Sequence, residues 1–86
     1  MKLSQIIKVA YQESEKALKK NEVPVGAVIF NDKKIISKAH NLVIKNNDPL
    51  AHAEYIAIKK AVKKLKTNNL KGCLLYTSPS PRDNTT

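Results

Sequence analysis

Apolar residues recur at steps of three and four through Leu3, Ile6, Ile7, Ala10, Ala17 and Leu18, with Ser14 completing the stripe. That spacing predicts an amphipathic helix from about Ser4 to Lys20. Ser4 is a suitable N-cap, Lys19 and Lys20 suit the negative end of the helix, and Asn21 is a suitable stop. The polar face carries Glu13, Glu15 and Lys16 and is expected to be solvated. Pro24 then pushes Val23 toward extended geometry. Val25 to Phe30 is apolar at both odd and even positions and rich in β-branched residues, which predicts a central strand. Gly26 within it implies either a bulge or the close approach of another group to the backbone. Asn31-Asp32-Lys33 is turn chemistry. Lys34 to Ala39 reads as the antiparallel partner, more polar and so nearer an edge.

His40 to Asn47 is a polar loop holding one apolar pair, Val43-Ile44. A second amphipathic helix is predicted from about Pro49 to Lys66, with Leu50, Ala53, Ala57, Ala61 and Leu65 on one face. Asp48 would be its N-cap and Pro49 its first residue, where the missing N–H costs nothing. Thr67-Asn68-Asn69 ends it. Leu74 to Thr77 predicts a third strand. The tail from Ser78 to Thr86 offers nothing apolar to bury and is expected to be disordered. The predicted order is helix, strand, strand, helix, strand, tail, an α/β arrangement with no internal repeat.

At 86 residues the chain makes one small domain. A domain of this size buries only about 60–65% of its unfolded surface, so its stability is marginal. One Cys excludes an internal disulfide and a Cys-rich metal cage. No apolar run is long enough to span a membrane, and the N-terminus lacks an apolar signal core, so a cytoplasmic location is expected. The net charge of +9, from 16 Lys+Arg against 7 Asp+Glu, favours polyanionic partners, RNA or DNA first. The same excess of Lys, Asn and Ile is what an AT-rich genome imposes on any protein it encodes. Tyr11 and Tyr55 are expected to pack rather than to stack on bases. The lysines of the second helix are expected to be a solvated face.

The one compact set of metal-ligand and proton-transfer side chains lies in Asn47-Asp48-Pro49-Leu50-Ala51-His52-Ala53-Glu54. A neutral imidazole offers a lone pair to zinc. A nearby carboxylate can move protons to and from a zinc-bound water. His-x-Glu at a helix start is half of the zinc deaminase signature, whose other half is Pro-Cys-x-x-Cys. Three residues are a short match that arises often by chance, and taken alone it favours a satisfied His and a solvated Glu over catalysis.

The flanking residues narrow the choice. Glu22-Val23-Pro24-Val25-Gly26-Ala27-Val28-Ile29, then Asn41, then Asn47 to Glu54 together resemble the bacterial tRNA-specific adenosine deaminases, within the cytidine deaminase-like zinc hydrolases. The resemblance runs from the first helix to about Gly72. It implies an α/β/α sandwich with a mixed sheet in the parent, a homodimer, one Zn2+ per subunit, and deamination of the wobble adenosine in a tRNA anticodon loop to inosine. By position, His52 would bind zinc and Glu54 would shuttle protons. Asn41 would hydrogen-bond the flipped-out base, Ala53 would offer backbone contact beside it, and Val25 and Gly26 would form part of the pocket floor.

The sequence then departs from that pattern. No Pro-Cys-x-x-Cys follows the third strand. Cys73 stands before that strand and is not expected to bind zinc. The run from Cys73 to Asp83 instead resembles the in-frame translation of a transposon-type sequencing adapter. Residues 1–72 are therefore expected to be the N-terminal part of a deaminase domain and 73–86 a non-native, disordered tail. The chain itself is expected to be inactive. Two other readings stay open: a parent acting on a free nucleobase or nucleoside such as guanine or cytosine, and a small basic RNA-binding module without chemistry.

Overall fold

The computed structural model describes residues 2–67 and 69–79. Its elements, in chain order, are α1 (Leu3–Lys19), β1 (Val25–Phe30), β2 (Ile35–His40), α2 (Ala53–Leu65) and β3 (Leu74–Pro79). The strands form one sheet in the order β2-β1-β3, so β1 is central and β2 lies at an edge, as its more polar sequence implies. Both pairings are antiparallel. The mixed sheet expected of the longer parent would need strands beyond these three.

Alternation along β1 sorts the core into two layers. Ala27 and Ile29 pack with Ile36, Ala39 and the Ala53, Ala57 and Ala61 stripe of α2. Val28 packs on the other side with Ile6 and Ala10 of α1. The helices therefore cover opposite faces of the sheet, which makes an α/β/α sandwich. Three alanines at four-residue steps let α2 lie close to the strands. Buried Ser37 ties the two together by donating its hydroxyl to the Ala57 carbonyl at 2.7 Å.

The first helix begins one residue before the expected Ser4, at Leu3, with Lys2 as N-cap. Gln5 reaches back to accept the Lys2 N–H at 3.2 Å while its own N–H donates to the Lys2 carbonyl at 3.0 Å, so the helix start is closed by a glutamine rather than by a serine hydroxyl. Its end is as expected. Asn21 adopts φ 60, and the Glu22 N–H returns to the Ala17 carbonyl at 2.9 Å.

The third strand runs to Pro79 rather than Thr77, so the expected disorder starts neither at Cys73 nor at Ser78. Ser78 is buried opposite Gly26, because pairing with β1 continues along the full length of that strand. Residues 80–86 of the expected tail lie outside the described residues. β3 leaves Leu74 and Leu75 at 62% and 46% exposure. Among the described residues no helix is long and apolar enough to cross a membrane.

Candidate functional site

Two backbone hydrogen bonds gather the candidate residues at one end of the sheet. Asn41 follows β2 directly, and its N–H donates to the Val25 carbonyl at 3.2 Å. The next N–H, of Leu42, donates to the Ala51 carbonyl at 2.9 Å. The segment between is folded back by a buried carboxylate. Glu22 Oε1 accepts the Ile44 N–H at 3.0 Å, and Oε2 accepts the Lys45 N–H at 2.7 Å. Asn47 closes the turn in the left-handed region, at φ 49, which asparagine tolerates.

The second helix does not start at Pro49. Asp48 spends its side chain on its own turn, accepting the Leu50 N–H at 2.9 Å, and its carbonyl accepts the Ala51 N–H at 3.0 Å. The Ala51 carbonyl is taken by the Leu42 N–H, and the first helical bond runs from the Ile56 N–H to the His52 carbonyl at 3.0 Å, so the helix starts after Ala51. His52 becomes the N-cap, at φ −77 and ψ 154, and Glu54 stands in the first turn. Leu50 is consequently not on the helix face at all and is exposed.

His52 and Glu54 are exposed and flank fully buried Ala53, which anchors the helix start against the core. Asn41 is only 2% exposed. No described residue hydrogen-bonds its carboxamide, and no enclosed side-chain polar atom among the described residues lacks a partner. The carboxamide thus has no hydrogen-bond partner among the described residues and keeps only a narrow opening to solvent.

Gly26 has the close approach that its place in the strand implied, but the approaching group is α1. A Cβ there would overlap the Ala10 carbonyl oxygen and come within 2.7 Å of the Ser14 nitrogen and 2.9 Å of Glu13 Cβ. The glycine is required by helix packing.

Zinc needs four donors, of which three come from the protein in a catalytic site. Among the described residues no group of three or more His, Cys, Asp and Glu could hold a metal ion. Cys73 packs at the margin of the α2 core layer, as a small hydrophobe would. The described residues thus do not fit the ion, and no chemistry through it follows from this chain.

Two acidic residues have roles that sequence reading missed. Glu22 holds the site loop, as above. Glu13 is buried rather than solvated, and its carboxylate lies 2.7 Å from Lys16 Nζ and 3.0 Å from His40 Nδ1. Burial pushes this carboxyl up, but the hydrogen bonds and charges of Lys16 and His40 outweigh burial and hold it below the usual value. Lys20 Nζ lies 3.0 Å from His40 Nε2, so both ring nitrogens are engaged. His40 is the last residue of β2, not part of the loop. The signal for Glu13 was its place on the Ile6, Ala10, Ala17 ladder, where an acid has to find a partner.

The sandwich, with a His-x-Glu helix start beyond the end of its sheet, defines a cytidine deaminase-like fold. The chain belongs to the family described as the cytidine and deoxycytidylate deaminase zinc-binding region, whose model it matches over residues 1–83. It is 52% identical over 75 residues to the tRNA-specific adenosine deaminase of Aquifex aeolicus, covering 87% of this chain and 50% of that protein. It is also 52% identical to the guanine deaminase of Bacillus subtilis, over 58 residues, covering 67% of this chain and 37% of that one. A solved structure from work on A-to-I editing by tRNA:A34 deaminases at the wobble position superposes with a TM-score of 0.84. The two are 33% identical, over 87% of this chain and 58% of the other. The chain thus spans about half the length of the adenosine deaminase it matches.

Proposed function

We propose that this chain is the N-terminal half of an enzyme that converts the wobble adenosine of tRNA to inosine by zinc-dependent hydrolytic deamination. The observation that carries the reading is the free carboxamide of nearly buried Asn41, held by Val25 beside a helix that starts with His52, Ala53 and Glu54. An amide can donate and accept at once, which suits the edge of a purine taken out of its stack. Ala53 offers its backbone next to that edge and Val25 lies beneath it, while Gly26, whose open side is filled by α1, reaches the pocket floor only through its backbone. The Glu54 carboxylate takes one proton from the attacking water and gives it to the ring nitrogen, then takes the proton of the hydroxyl left on the ring carbon and gives it to the amino group, which departs as ammonia. His52 is one zinc ligand of the parent. The others belong to the native continuation, with 73–86 being non-native sequence. The parent is a cytoplasmic homodimer that binds the anticodon loop.

Guanine deamination is the second reading, favoured by the equal identity to the guanine deaminase over a shorter stretch. The test starts from the genomic DNA that follows the codon of Gly72. The full-length product is assayed on a tRNA carrying adenosine at the wobble position and on free guanine. Inosine in the tRNA is expected, with Glu54→Gln lowering the rate about a thousand-fold. Conversion of guanine with no change in the tRNA replaces the first reading by the second.

A further inference from the structure

We infer that His40 is a positioning residue: held by Glu13, it fixes the end of β2 and so presents the Asn41 carboxamide to a substrate on the α2 face of the sheet. His40 is the last residue of β2 and immediately precedes Asn41. Neighbouring positions of a strand point to opposite faces. The His40 ring meets Glu13 of α1 on one face. Ala39 packs in the α2 layer on the other, and Asn41, two positions on, falls on that same face. A twist of the strand end that moved the ring would therefore move the carboxamide too. Because β2 lies at the edge of the sheet, only β1 guides it. Past His40 its course along β1 is held by the Asn41 N–H bond to the Val25 carbonyl at 3.2 Å. The ring supplies a second restraint, from the opposite face.

The restraint is built from residues that the proposed chemistry does not use. His40 stands directly opposite Gly26 in the sheet. The missing side chain of Gly26 leaves room beside the ring, and Glu13 fills it, with its Cβ 2.9 Å from where a Gly26 Cβ would stand. Glu13 Oε1 lies 3.0 Å from His40 Nδ1, while Oε2 is taken by Lys16 at 2.7 Å. Lys20 Nζ lies 3.0 Å from Nε2, and an ammonium can only donate. Nε2 is therefore the acceptor, and the ring proton sits on Nδ1, which donates it to Glu13. One tautomer in one orientation satisfies both contacts.

The inference rests on the role proposed for Asn41. Its test is a double-mutant cycle in the full-length gene product, on whichever substrate that protein deaminates. Asn41→Ala should lower kcat/KM about a hundred-fold and His40→Ala about ten-fold. In the Asn41→Ala background, His40→Ala should cost less than about two-fold more, because nothing is left to position. His40→Asn, whose side-chain N–H can reach Glu13 from the Nδ1 position, should recover most of the loss. Ile6→Val loosens the buried α1 layer without touching the ring and should leave kcat/KM within about two-fold. Independent losses in the cycle, or an equal loss from Ile6→Val, would make His40 a purely structural residue and overturn the inference. Hydrogen exchange reads the same restraint without activity: the Asn41 N–H should accelerate in His40→Ala more than the amides of β1 do. An unchanged Asn41 rate would also overturn the inference. A full-length protein that deaminates neither tRNA nor guanine would end the proposed function instead, and exchange would still decide whether His40 restrains Asn41.

Discussion

The Glu22 carboxylate accepts the backbone N–H of Lys45 at 2.7 Å, across 23 positions of sequence. With its second bond to Ile44, this acid fixes the segment that returns the chain from Asn41 to His52. Glu22→Ala would leave both N–H groups without their charged acceptor. A loss of about 2–4 kcal/mol is expected. Hydrogen exchange should show Ile44 and Lys45 among the most accelerated amides, with β1 changed less. Acceleration spread evenly over the chain would contradict a local clamp.

Gly26 marks the tightest packing of α1 on the sheet. Gly26→Ala drives a methyl group into helix backbone rather than into a flexible side chain, so α1 has to move. A destabilisation of about 3 kcal/mol is expected in a denaturant titration. A change of less than 1 kcal/mol, on the order expected of a surface position, would show that α1 yields easily.

Glu13 ties stability to acid pH. Its folded-state carboxyl lies below the ordinary value of 4.5 because Lys16 and His40 outweigh burial. As pH falls the unfolded chain takes up this proton first. The contribution is therefore complete above the ordinary value and is lost as pH drops through the folded one. Thermal unfolding followed from pH 6 down to pH 3 should show a steeper fall for the parent sequence than for Glu13→Gln. Parallel curves would remove Glu13 as the cause.

Much of the fold was legible from pattern. The bounds of β1, the edge position of β2 and the αL stop at Asn21 follow from residues that act locally. The start of α2 was not legible, because Asp48-Pro49 is equally good chemistry for a cap and for a turn. What decides between them is the Leu42–Ala51 backbone bond, a pairing that sequence alone does not show. Glu13 and Glu22 were read as surface acids or motif letters for the same reason: His40, which together with neighbouring Lys16 holds Glu13, and the amides that hold Glu22 lie 27 and 22–23 residues away. At the candidate site the residue types were legible, whereas the burial of Asn41 and the exposure of Tyr55 needed the fold.

The free edge of β3 presents Leu74 and Leu75 to solvent, beside a sheet face that α2 covers only in part. Such an edge pairs readily with another chain. The 86-residue protein should be aggregation-prone or partly unfolded, eluting as concentration-dependent species in light-scattering chromatography. A homogeneous monomer or dimer with one cooperative thermal transition would contradict this.

Zinc content of purified protein tests most directly whether these residues are one half of a metal site. The 86-residue chain, dialysed against a weak chelator and analysed by atomic emission, should retain far less than one zinc per chain. The full-length gene product should retain close to one per subunit and lose it when His52 is replaced by Ala. Tight, near-stoichiometric zinc on the 86-residue chain would contradict the proposal that His52 is its only ligand there.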